Sequence, residues 1–334
     1  VMIFFIDIDN NTYVIRQAIS HNSTRLFLST SLVMLIFGGD VLVQGASGIA
    51  KKMKLSPLVI GMTVVAFGTS APELMVSVKA AYMGSPEIAL GNVIGSNIAN
   101  IALVLAITVL IFPLAIDRNS KNIDWPMMFF ASMLFYFFAL DGVISQMEGT
   151  LLFAILIAFT IFLIRNSRKK NKKNGDISHE QIPSIWLSIG KNLLGLVLLY
   201  FGSKWLVSGA IEIAEDFGVE QRIIGVTVIA FGTSVPELAA SVMAAIKKET
   251  DISIGNLIGS NIFNIMSVIG ITAIIQPIQV SEKIINPDMY WMLAISFGLG
   301  IILFFWKKIQ RWHGLVLLAS YLSYIGVLVL SQNA

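Results

Sequence analysis

The chain has 334 residues, 56% hydrophobic and only 13% charged, with a formal net charge of +3. Soluble domains carry about 25% charged residues, so this composition excludes a water-soluble globule and points to a polytopic membrane protein. With no cysteine there is no disulfide framework or thiolate site, and the three histidines (His21, His179, His313) fall outside every repeated motif, which argues against zinc or histidine catalysis.

Residues 1–25 carry Asp7, Asp9, Arg16 and Arg25 and no apolar run of the about 20 residues that a membrane helix needs. They are left as an unassigned N-terminal tail from an upstream start. Ten apolar spans follow, at 26–50, 56–83, 87–112, 125–141, 147–165, 185–212, 220–247, 251–276, 286–306 and 312–331. Several are too long for a perpendicular crossing, so tilt or a break is expected. The expected fold is therefore all-α, with ten transmembrane helices. A first unit spans 26–165, a hydrophilic junction 166–184, and a second unit 185–334.

Most of the 23 Lys and Arg residues fall in alternate loops: Lys51, Lys52 and Lys54; Arg118 and Lys121; Arg165 to Lys173; Lys247 and Lys248; Lys307, Lys308 and Arg311. The positive-inside rule places these loops in the cytoplasm and both termini outside. Basic residues distributed in this way are topology signals, so no nucleic-acid partner is expected.

The two units are copies. GMTVVAFGTSAPE, from Gly61 to Glu73, returns 164 residues later as GVTVIAFGTSVPE, from Gly225 to Glu237, with ten of thirteen positions identical. GNVIGSNIANI from Gly91 and GNLIGSNIFNI from Gly255 keep the same register, as do FGGDVLVQGA and FGSKWLVSGA. Five spans per copy force the second copy to cross the membrane upside down relative to the first. Inverted repeats of this kind are characteristic of secondary transporters, whose site lies near the midplane.

Each copy sets one glutamate in apolar surroundings without a neighbouring Lys or Arg. A buried carboxylate needs a cation, a proton or a hydrogen-bonding shell. Thr69 and Ser70 lie four and three residues before Glu73 and share its helical face; Thr233 and Ser234 do the same for Glu237. Pro72 and Pro236 should break their helices, freeing carbonyls to line a polar cavity. Asn92, Ser96 and Asn100, and likewise Asn256, Ser260 and Asn264, form a polar stripe at i, i+4, i+8. The accompanying GxxxG spacings, Gly91 to Gly95 and Gly255 to Gly259, are those of close helix packing. Oxygen donors alone suit a hard cation, Ca2+ or a pair of monovalent ions. Occluding two uncompensated acids is costly, so the unloaded carrier should not switch sides and exchange should be obligatory.

GTSAPE and GTSVPE, each followed by GNxIGSNI, resemble the alpha-repeats of the sodium/calcium exchangers within the cation/Ca2+ antiporter superfamily, most closely its short microbial members. The resemblance covers both halves. It implies a Na+/Ca2+ antiporter working by alternating access in a prokaryotic cytoplasmic membrane, monomeric, with no resident cofactor, the first and sixth helices sliding across the rest. The ion ligands it implies are Ala66 (carbonyl), Thr69, Ser70, Glu73, Ser96 and Asn100 in one half, and Ala230 (carbonyl), Thr233, Ser234, Glu237, Ser260 and Asn264 in the other. Asn264 stands where some relatives have aspartate, which argues against K+ co-transport and bears on the Na+ stoichiometry. Thr-Ser before the glutamate, where proton-coupled relatives carry asparagine, favours Na+ as coupling ion.

The alternatives are a Ca2+/H+ exchanger of the same superfamily, a passive channel, and an intramembrane enzyme suggested by Phe37-Gly38-Gly39-Asp40, which finds no second catalytic aspartate. Glu87 and Asp251 open equivalent helices, where helix N-terminal capping explains them at least as well as a cation-attracting mouth. Trp125, Trp186, Trp291 and Trp312 lie near span ends as interfacial anchors. Asp40 and Lys204 occupy equivalent positions with opposite charge, a difference the sequence leaves without explanation.

Overall fold

A computed structural model describes the backbone of residues 3–174, 184–217, 230–282 and 284–331. The helices are α1 Ile3–Met53; α2 Pro57–Thr69 and α3 Ala71–Tyr82; α4 Ile88–Ile111; α5 Trp125–Ala139; α6 Gln146–Asn174; α7 Ile185–Asp216; α8 Ala230–Thr233 and α9 Val235–Ile246; α10 Thr250–Ile275 and α11 Ile284–Phe305; and α12 Arg311–Ser331. Each coincides with an expected span or, for α2–α3 and α8–α9, with one span in two pieces. The opening of the α8 span, at 220–229, lies outside the described residues.

Two boundaries differ from expectation. Helix α1 reaches back to Ile3, because nothing before Gly38 is a glycine or proline to interrupt it. Helix α6 continues through the basic segment to Asn174, so residues 166–174 of the expected junction are helical. Basic side chains at a helix C-terminus complement its dipole, and Arg165 to Lys173 thus prolong the helix.

Proline sets the breaks. Pro72 and Pro236 stand in the first turns of α3 and α9, and the residues before those helices, Ser70 (φ −86°, ψ 3°) and Ser234 (φ −91°, ψ 3°), leave helical geometry. Between α2 and α3 the axis bends by 45°.

Two short antiparallel ladders carry the proof of inversion. Leu114–Ala115, after α4, pairs with Lys308–Ile309, before α12. Val143–Ile144, after α5, pairs with Ile278–Gln279, after α10. Leu114 and Ile278 are equivalent at the 164-residue offset, yet they sit in different ladders separated by the length of α5. Equivalent loops therefore lie at opposite ends, and the two halves run antiparallel. The basic loops meet at one end: Ser167 Oγ accepts the Ser56 N–H at 2.8 Å, Lys170 donates to Asn119 Oδ1 at 2.6 Å, and Lys121 donates to the Phe304 carbonyl at 2.9 Å.

The core has two parts. The larger apolar cluster unites α4, α5, α6, α10, α11 and α12 around side chains such as Ile98, Phe135, Leu152 and Ile265. The smaller one joins α1 and α7 to α2, α9 and the start of α10 through Leu42, Ala46, Val65, Leu199 and Ala244. Glycines let α1 and α7 touch backbone to backbone: a β-carbon on Gly45 would come within 2.5 Å of the Asn192 nitrogen, and one on Gly195 within 2.6 Å of the Leu42 nitrogen. The α1–α7 pair thus forms a layer across the broken spans.

Candidate ion-binding site

The breaks at Ser70 and Ser234 bring the start of α3 and the start of α9 to the centre of the helix bundle. Glu73 is 1% exposed and Glu237 is fully buried, as are Ser70 and Ser234. Ser70 Oγ, from the first repeat, donates to Glu237 Oε1, from the second, at 3.3 Å. Thr69 Oγ1 reaches Asn256 Oδ1 at 3.1 Å and Ser260 Oγ at 3.4 Å, again across the repeats. The two motifs therefore build one site.

That site is short of partners. Glu73 Oε2, Glu237 Oε2, Ser96 Oγ, Asn100 Oδ1, Ser234 Oγ and both polar atoms of Asn264 are buried without a hydrogen-bond partner among the described residues. Buried polar atoms are paired in the great majority of cases, so the unpartnered oxygens on both glutamates mark groups that something else can pair. Among the described residues no group of three or more His, Cys, Asp or Glu could hold a metal; the donors gathered here are two carboxylates with hydroxyls and amides.

Of the sequence-expected ligands, Thr69 meets Ser260 and Ser70 meets Glu237 across the repeats. Ala66 is buried, and its carbonyl accepts the Ser70 N–H at 3.0 Å. Ala230 opens α8, and Thr233 closes it, half-buried. Asn92 and Asn256, expected on the polar stripe, use their amide nitrogens to brace the acid-bearing helices. Asn92 Nδ2 donates to the Glu73 carbonyl at 3.2 Å and to Ser77 Oγ at 3.0 Å, and Asn256 Nδ2 donates to Ser241 Oγ at 3.0 Å.

Four contributors escaped the sequence reading. Asn97 and Asn261 lie one residue past Ser96 and Ser260, off the stripe, and tie α4 to α10: Asn97 Nδ2 donates to the Asn261 carbonyl at 3.4 Å, and Asn100 Nδ2 to Asn261 Oδ1 at 3.3 Å. Ser77 and Ser241 receive the bracing amides. All four recur at the 164-residue offset, which is the signal that could have found them.

Expected capping by Glu87 and Asp251 is corrected: neither the Ile88 nor the Thr250 helix end has a side-chain capping bond. Trp125 likewise packs inward, its indole N–H donating to the Ser296 carbonyl at 2.8 Å. The Gly255 and Gly259 spacing does serve packing, since a β-carbon on Gly255 would meet the Leu58 carbonyl at 2.5 Å.

A cavity of about 260 Å3 lies along α7, lined by Tyr200, Ser203, Lys204 and Ser208 on one wall, and on the other by Thr233 and by Pro72 and Pro236, the residues just before Glu73 and Glu237. A larger one of about 860 Å3, between α2, α6, α7 and α10, is almost wholly apolar and holds neither acid.

Two antiparallel helical repeats that each bring one buried acid to a shared centre define a secondary transporter. The description "Sodium/calcium exchanger protein" belongs to the family whose sequence model matches residues 25–165 and 187–330. The sodium/calcium exchanger MaX1 of Methanosarcina acetivorans is 33% identical over 91% of this chain and 97% of its own. The inner membrane protein YrbG of Escherichia coli is 30% identical over 90% and 95%. The structure of the sodium-calcium exchanger NCX_Mj soaked with zero Na+ and Ca2+ superposes with a TM-score of 0.80 at 31% identity, covering 91% of this chain and 98% of that one. This chain belongs to the sodium/calcium exchanger family and is a cation/Ca2+ antiporter of the membrane, not an enzyme.

Proposed function

We propose that the protein exchanges Na+ for Ca2+ by alternating access, binding the ions between Glu73 and Glu237 with Thr69, Ser70, Ser96, Asn100, Thr233, Ser234, Ser260, Asn264 and the carbonyls of Ala66 and Ala230 as oxygen donors. The observation that carries this reading is the contact of Ser70 with Glu237 across the repeats, beside two carboxylate oxygens without a donor among the described residues. Hard cations are the partners that an all-oxygen set with two negative charges accepts. The basic loops face the cytoplasm and both termini lie outside. The α7 cavity then opens toward the exterior, since Ser203, Lys204 and Ser208 lie in the half of α7 away from the basic end.

Proteoliposomes test it. Ca2+ uptake should follow an imposed outward Na+ gradient, and uptake driven by a pH gradient but indifferent to Na+ would make the protein a Ca2+/H+ exchanger. Glu73→Gln and Glu237→Gln should each cut the flux by about a hundredfold or more, the consequence of removing one partner of a buried charge interaction worth several kcal/mol. An active double variant would take both acids out of the mechanism.

A further inference from the structure

Lys204 is charged, exposed, and located inside the apolar stretch Ile185–Ala214. An ammonium group at such depth is costly against lipid and is expected to face a polar cavity or a partner. It makes no ion pair among the described residues; what it does is line the 260 Å3 cavity, on the same wall as Tyr200, Ser203 and Ser208. The opposite wall includes Pro72, Thr233 and Pro236, the residues that flank Glu73 and Glu237 in sequence. This basic group thus stands on the approach to a site built for cations. Its equivalent in the first repeat, Asp40, is instead paired with Lys247, and where it lies the packing is closed: a β-carbon on Gly39 would meet Met243 Cγ at 2.8 Å.

We propose that Lys204 is a specificity-determining residue that discriminates cations by valence at the open mouth, opposing Ca2+ more strongly than Na+. The assignment rests on the exchange reading above. At any point in the cavity the ammonium raises the energy of an ion in proportion to its charge, so the exponential penalty on a divalent ion is the square of that on a monovalent one. A narrow channel with low-dielectric walls focuses the field and lessens its screening. The consequence is an outward-facing pathway in which Ca2+ competes less well against Na+.

The natural chain has no cysteine, so charge at this position can be set chemically. In right-side-out membrane vesicles carrying Lys204→Cys, an external methanethiosulfonate forms a disulfide with the thiol and releases methanesulfinate, leaving either an aminoethylthio group, which restores the ammonium, or a methylthio group, which is neutral. Half-saturating external Na+ and Ca2+ are then measured for each. The expected result is a higher Ca2+ requirement with the charged group, by the square of the factor found for Na+: about threefold for Na+ would accompany about ninefold for Ca2+. Lys204→Arg should match the natural protein. Equal factors for both ions, no difference between the two reagents, or a thiol that neither reagent reaches would each overturn the assignment. Absence of Na+-dependent Ca2+ flux in the natural protein would instead overturn the exchange reading, so the two failures are told apart.

Discussion

At the scale of single residues, the site separates amides that hold the structure from one that does not. Asn261 accepts from Asn100 at 3.3 Å and its own nitrogen lies 3.6 Å from Met128 Sδ. Asn264, three residues later and equally buried, has neither its nitrogen nor its oxygen partnered among the described residues. Removing a satisfied partner strands the group left behind, at a cost of about 1–3 kcal/mol, whereas removing an orphan costs the fold nothing and can stabilise it. Asn261→Leu should therefore lower the unfolding temperature in detergent. Asn264→Leu should leave it unchanged or raise it, while weakening half-saturation by Ca2+ about tenfold, the effect of losing one good ion–dipole ligand. Thermal unfolding and ion titration on the two variants check both halves of the contrast. A destabilised Asn264→Leu protein would mean that the side chain is structural.

Among the elements, the packing of α10 against α2 depends on bare backbone. A β-carbon on Gly259 would come within 2.6 Å of the Met62 α-carbon, where no flexible side chain can yield. Gly259→Ala should thus force α2 away, costing about 1–3 kcal/mol and loosening Thr69 from Ser260 at the same time. Gly298→Ala in α11, with nothing near its β-position, should be neutral or gain up to about 1 kcal/mol from helix propensity. Circular-dichroism melts of the two variants test the difference. This level of organisation was largely legible in the sequence. Ten spans, two copies, broken helices at Pro72 and Pro236 and the shared acids all follow from composition, repeat register and proline chemistry. What was not legible is what depends on azimuth and reach. One residue past the polar stripe, Asn97 and Asn261 point between helices, and Asn92 turns its donors back onto the Glu73 carbonyl. A periodicity argument names a face but not which neighbour meets it. The helical course of Arg165 to Asn174 was hidden for a related reason: a charge run reads as solvated whether or not its backbone is helical.

For the whole molecule, the two halves share a sequence but not a state. At the basic end, α1 is fastened to the α9–α10 connection. Asp40 pairs with Lys247, Ser47 Oγ donates to Glu249 Oε1 at 3.0 Å, and Gln44 joins Asp40 at 2.7 Å to Lys191 at 2.8 Å. At the other end, the equivalent stretch of α7 walls an open cavity. Perfect inverted symmetry would close both ends or open both. The fastening at one end is thus a discrete arrangement that an alternating carrier must break to expose its site on the other side. The ion pair is about 30% exposed, so screening limits it to about 0.2–1 kcal/mol, a population shift of up to about fivefold. Asp40→Asn should release that much. Apparent ion affinity measured from the basic-loop side should rise by up to about fivefold, because a ligand's apparent affinity scales with the fraction of protein in the competent state. Affinity from the opposite side should change far less, since that state is already the populated one. Lys247→Met should act in the same way, and the double variant should show no further change, because the two substitutions remove a single interaction. Additive effects in that cycle, or equal shifts at both faces, would show that the pair is a surface contact without a part in switching.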